Sequence, residues 1–137
     1  MSNAETPRWR QRLTSFGKAI DQLDTACGKG DYTDIERAGL VKTFEFTFDL
    51  AWKTLKDLLF QEGYDARTPR EVIRRAFEAD YLSEQEATIC LDALDKRNLL
   101  SPMYDEKSAR EAVELIRASY APVLRRIHTT LQSKPPR

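Results

Sequence analysis

The chain has 137 residues, with 22 Lys/Arg against 22 Asp/Glu and a formal net charge of zero. Hydrophobic residues make up 41% and charged residues 32%, with only five glycines and six prolines, so the chain reads as one soluble helical domain, neither disordered nor fibrous. The charge balance argues against broad electrostatic wrapping of nucleic acid, and no apolar run reaches the ~18 residues that span a bilayer.

Five helices follow from periodicity and end signals, taken in chain order. The first covers about residues 8–26, where Trp9, Leu13, Phe16, Ile20 and Leu23 recur on one stripe. Gly28-Lys29-Gly30-Asp31 breaks it. Thr33-Asp34-Ile35-Glu36 is a capping box that opens the second helix. From Leu40 to Glu62 that helix meets no Gly or Pro, and Gly63 offers a C-cap. It is about 28 residues long, roughly 42 Å. Phe44, Phe46 and Phe48 alternate as in a strand, but the length of the flanking helical pattern decides for helix. Aromatic residues around this helix predict burial on several sides.

The third helix starts at Thr68-Pro69-Arg70-Glu71 and ends near Ala79. The fourth opens with the capping box Ser83-Glu84-Gln85-Glu86 and reaches about Leu99. The fifth runs from about Asp105, read as its N-cap, to about Gln132. Pro122 lies inside it and predicts a kink near Ala118, because the ring crowds the carbonyl four residues back. The expected fold is an all-α, antiparallel, mostly up-and-down bundle. Residues 7–132 form its single domain, and 1–6 and 133–137 are expected to be flexible tails.

Several residues carry possible chemistry. Glu45, Asp49 and Lys53 stand at i, i+4 and i+8, near one face of the second helix. Acids in aromatic surroundings cost several kcal/mol unless paired or hydrated. They can pair with Lys53 and Arg97, line a polar cleft, or bind a cation, for which no third ligand is evident. Arg97-Asn98 closes the fourth helix and precedes the proline-stiffened turn Ser101-Pro102-Met103-Tyr104. Arg97 is either a phosphate-binding fork or a helix-end partner of Glu45 or Asp49. Tyr104 is either the packing of that turn or a group at the mouth of a site. His128, the only histidine, reads as an exposed residue of the last helix. Residues 107–137 carry seven Lys/Arg (Lys107, Arg110, Arg117, Arg125, Arg126, Lys134, Arg137) against Glu111 and Glu114, a local excess that either favours RNA or an acidic partner surface or, the preferred reading, is a solvated face. Cys27 and Cys90 have no metal-ligand spacing and read as reduced thiols of a cytoplasmic protein. There is no P-loop, no GxGxxG and no paired-Asp motif of a nucleotide-transferring enzyme.

The blocks Phe44-Glu45-Phe46-Thr47-Phe48-Asp49-Leu50-Ala51-Trp52-Lys53 and Arg97–Tyr104 carry a resemblance. They resemble the nucleotidyltransferase substrate-binding proteins, a branch of the HEPN superfamily of helical bundles, from about Trp9 to Leu131. In that pattern a histidine stands about five positions after the arginine, with a tyrosine two further on. Here Arg97, Asn98 and Tyr104 match, and Pro102 fills the histidine slot. The resemblance implies that HEPN ribonucleases cut RNA without metal, the arginine stabilising phosphorane charge and the histidine moving the proton. Proline can move no proton, and only an imidazole titrates near neutrality. The resemblance therefore implies a non-catalytic substrate- or nucleotide-binding subunit, without cofactor or metal. Arg97 and Asn98 would bind phosphate, with Glu45, Asp49 and Lys53 as polar cleft residues. Tyr104 would be the adenylylation acceptor. The implied partners are a separate small nucleotidyltransferase, a nucleotide or nucleotidylated substrate, and a second copy in a homodimer. A toxin–antitoxin pairing belongs to the same expectation. The rivals are a HEPN-type RNA endonuclease with a borrowed base and a plain helical interaction module.

Overall fold

Side chains that satisfy free backbone groups set the helix ends. The computed structural model describes residues 6–100 and 106–134, with the backbone alone for 98–100. Helix α1 is Arg8–Ala26 and α2 is Asp34–Gln61. Thr33 Oγ1 accepts the Glu36 N–H at 3.1 Å, and Glu36 Oε1 accepts the Thr33 N–H at 2.8 Å, completing the expected box. The same reciprocal pair, Thr68 with Glu71, opens α3 (Pro69–Glu78). Ser83 and Glu86 do so for α4 (Glu84–Leu100), at 2.9 and 3.1 Å. Gly63, at φ +97°, ends α2: its N–H reaches Phe60 O and that of Tyr64 reaches Leu59 O. Only glycine takes that φ freely.

A long last helix completes the bundle. It comprises α5 (Glu106–Leu115), a π-helical segment (Ile116–Tyr120) and α6 (Ala121–Gln132), joined through helical backbone. The kink expected near Ala118 takes this form. Pro122 lacks an N–H and crowds the Ala118 carbonyl, and the Ala121 N–H bonds back five residues to Ile116 O. Asp105, the expected cap, lies outside the described residues, as do most of the expected tails. No strand occurs among the described residues, and the fold is the expected all-α bundle.

Helix α2 is the spine, packed against α1, α3, α5 and α6. Its buried residues Leu40, Val41, Phe44, Thr47, Phe48, Ala51, Thr54, Leu55, Leu58 and Leu59 advance by threes and fours along one stripe. The expectation of burial on several sides is therefore corrected. Phe46 and Phe60, off that stripe, are 59% and 69% exposed. Two buried hydroxyls interrupt the apolar stripe without penalty: Thr47 donates to Thr43 O and Thr54 to Leu50 O, both at 2.7 Å.

His128 also departs from expectation. It is buried, edge-on to Phe16 with ring centroids 5.4 Å apart, where α6 crosses α1. Burial lowers its pKa below the ordinary 6.5, so the ring sits neutral in the core. The basic excess near the C-terminal end is in part a solvated face, with Lys107, Arg110 and Arg126 exposed, and in part paired with groups elsewhere in the bundle. Arg125 bonds Asp21 at 2.7 Å and Asp24 at 2.6 Å, Arg126 faces Glu86 at 3.4 Å, and Lys134 faces Glu62 at 3.7 Å. Both cysteines are free; burial pushes the Cys90 thiol up to about 12, far from a reactive thiolate. No described helix is long and apolar enough to cross a membrane.

Candidate functional site

The central half of α2 places Lys42, Thr43, Glu45, Phe46 and Asp49 along one open cleft. Gln22 of α1 and Arg97 from the last turn of α4 complete its walls, around a volume of about 770 Å³. Glu45, Asp49 and Arg97, three of the residues expected to act together, do share this cleft. Lys53 does not line it. It pairs with Asp49 from outside, Nζ to Oδ2 at 2.8 Å, and lies 5.9 Å from the centre of the Trp52 ring. Trp52 Nε1 donates to the other Asp49 oxygen at 3.1 Å. Both oxygens of Asp49 are thus engaged. Glu45 is held more loosely: Oε1 faces Lys42 Nζ at 3.7 Å, and Oε2 is buried with no hydrogen-bond partner among the described residues.

Arg97 lines the same cleft as two carboxylates and bonds neither. Among the described residues it makes no ion pair within 4.0 Å, so the expected helix-end bridge to Glu45 or Asp49 does not form. Its guanidinium carbon stands 5.8 Å from the centre of the Phe48 ring. That contact, worth about 0.5–1 kcal/mol at a partly exposed site, holds the cation without using its five donors.

Beneath it runs a packed relay. Phe48 lies 5.8 Å from Phe44, and Phe44 stacks on Tyr120 at 5.4 Å and 25°. Tyr120, the last residue of the π segment, donates its hydroxyl to Asp92 Oδ2 at 2.6 Å, while Lys96 holds Oδ1 at 3.0 Å. Burial, and then this bond, raises the Tyr120 pKa, and the same bond lowers that of Asp92. The widened turn of the last helix is thereby tied to α4 just before Arg97. Sequence reasoning missed this network and missed Phe46. The signal for Phe46 was present: if Phe44 and Phe48 share a helix face, the residue midway between them turns roughly opposite.

Asn98 follows Arg97 in the backbone of α4, but its side chain lies outside the described residues, as do Pro102 and Tyr104. His128 packs on α1 and does not line the cleft. Among the described residues, no group of three or more His, Cys, Asp or Glu side chains converges as metal ligands.

Residues 11–133 match the family model described as nucleotidyltransferase substrate binding protein like. No curated protein matches the chain. The crystal structure of ttk003001694 from Thermus Thermophilus is similar, with 30% identity and a TM-score of 0.79 over 85% of this chain and 98% of that one.

Proposed function

Because the chain belongs to the nucleotidyltransferase substrate-binding protein-like family, we propose that it is the non-catalytic, ligand-holding partner of a separate small nucleotidyltransferase. Its α2–α4 cleft holds a nucleotide or a nucleotidylated substrate, and Arg97 grips the phosphate. The observation that carries this reading is the state of Arg97: a fork-shaped cation in a cleft, bonded to neither carboxylate that shares it. A guanidinium in that condition matches the oxygens of a phosphate and cannot lose its charge. Asn98, with both a donor and an acceptor, stands next to it in the chain to assist. Tyr104 is the acceptor if the partner adenylylates this protein. A two-fold homodimer and a toxin–antitoxin pairing belong to the same proposal.

A subunit that grips without cutting follows from the missing imidazole. Pro102 fills the slot where the family pattern has histidine. The chain's only histidine is buried beside Phe16, its pKa lowered by desolvation, and is not poised to shuttle protons in the cleft.

Calorimetric titration with AMP tests the proposal. Wild type is expected to bind and Arg97→Ala to lose about tenfold or more, the scale of a charge-assisted hydrogen bond. Equal affinity in the two proteins contradicts it. Metal-free RNA cleavage that Arg97→Ala abolishes contradicts it differently, by making the chain an endonuclease.

A further inference from the structure

Phe46 is 59% exposed and lines the cleft that Arg97 enters. A lone exposed aromatic ring means little on a protein surface. This one lines the same cleft, of about 770 Å³, as a cation that makes no ion pair among the described residues. An aromatic face and such a guanidinium in one cleft are the combination that holds a base at one end of a nucleotide and a phosphate at the other.

The charges of the cleft narrow the class. Lys42 and Arg97 are its cations, and Glu45 and Asp49 its carboxylates, so the lining is formally neutral. Lys53 reaches Asp49 from outside and offers the ligand nothing further. A single phosphate can sit on Arg97 within such a lining. A triphosphate chain would carry its additional negative charges against Glu45 or Asp49, where like charges repel.

We infer that the cleft recognises a nucleoside monophosphate group, its base stacked on Phe46 and its phosphate held by Arg97, in preference to a nucleoside triphosphate. The inference rests on the nucleotide-binding reading above and adds the base platform and the phosphate number. Two sources present this chemistry, a free mononucleotide and a nucleotide already esterified to a second molecule.

The test is calorimetric titration of wild type and Phe46→Ala with AMP, its methyl phosphodiester, ribose 5-phosphate and ATP, without divalent cations. Phe46 lies off the buried stripe, so the variant is expected to keep the wild-type melting temperature. Wild type should bind AMP or the diester more tightly than ATP. Phe46→Ala should lose about tenfold in AMP affinity, the scale of one base–aromatic stack, and leave ribose 5-phosphate unaffected. Tighter binding of AMP assigns the free mononucleotide, and tighter binding of the diester assigns the nucleotidylated substrate. Unchanged AMP affinity in Phe46→Ala, or ATP binding more tightly than AMP, overturns the inference and leaves the nucleotide reading standing. No binding of any of the four ligands by wild type overturns both.

Discussion

A Cβ built on Gly17 would lie 2.8 Å from His128 Nε2, closer than such atoms come in proteins. Gly17 is what lets α6 press its imidazole against α1. Gly17→Ala must push back a ring that Phe16 already holds edge-on. The expected cost is about 1–3 kcal/mol, the usual scale of overpacking. Urea unfolding measures it, and removing the ring with His128→Ala in the same background should recover part of the loss. A Gly17→Ala protein as stable as wild type would mean that the two helices separate more easily than this contact implies. The burial of His128 was legible in the sequence, because it falls four residues after Leu124 and three before Leu131, both buried. Its polar ring near the end of the last helix reads as exposed only when that stripe is overlooked. That Arg97 bonds neither carboxylate was not legible. It depends on Asp49 being taken by Lys53 and Trp52, and only a folded cleft makes that competition visible.

At the level of helices, both starts and ends were legible in the sequence. Each capping box puts hydroxyl and carboxylate at a fixed spacing, and the boxes at Thr33, Thr68 and Ser83 all form. The end of α3 is different. It closes on Asp80 at φ +67°, with the Tyr81 N–H reaching Ala76 O at 2.9 Å. This is the closure that Gly63 gives α2, with aspartate in the glycine position, so the end near Ala79 was read without a glycine to mark it. Asp80→Gly should relieve the left-handed strain and stabilise the fold by about 0.5–1 kcal/mol. Thermal unfolding checks it, and a lowered melting temperature would show that the Asp80 side chain contributes more than its backbone costs. Pro122 announced a disruption in the last helix but not its kind. The π segment answers it by turning Tyr120 toward Phe44 and Asp92, contacts that exist only once α2 and α4 are in place.

Across the bundle, the arrangement follows from α2 burying one stripe and leaving the opposite side free. The buried stripe gathers α1, α3 and the last helix around one core. The free side, with Lys42, Glu45, Phe46 and Asp49, meets the end of α4 and forms the cleft. The chain carries no net charge. Many of its charged side chains pair across or along helices, and Arg97 makes no such pair among the described residues. The bundle and the sharing of one cleft by Glu45, Asp49 and Arg97 could be read from the sequence. Phe46 and the relay to Tyr120 needed the fold. A crystal structure of the wild-type protein with AMP decides the matter. Phosphate oxygens are expected about 3 Å from the Arg97 guanidinium, with the base lying on the Phe46 ring. Nucleotide found instead in the smaller pocket lined by Tyr64, Arg74 and Arg75, with Arg97 untouched, would refute the assignment.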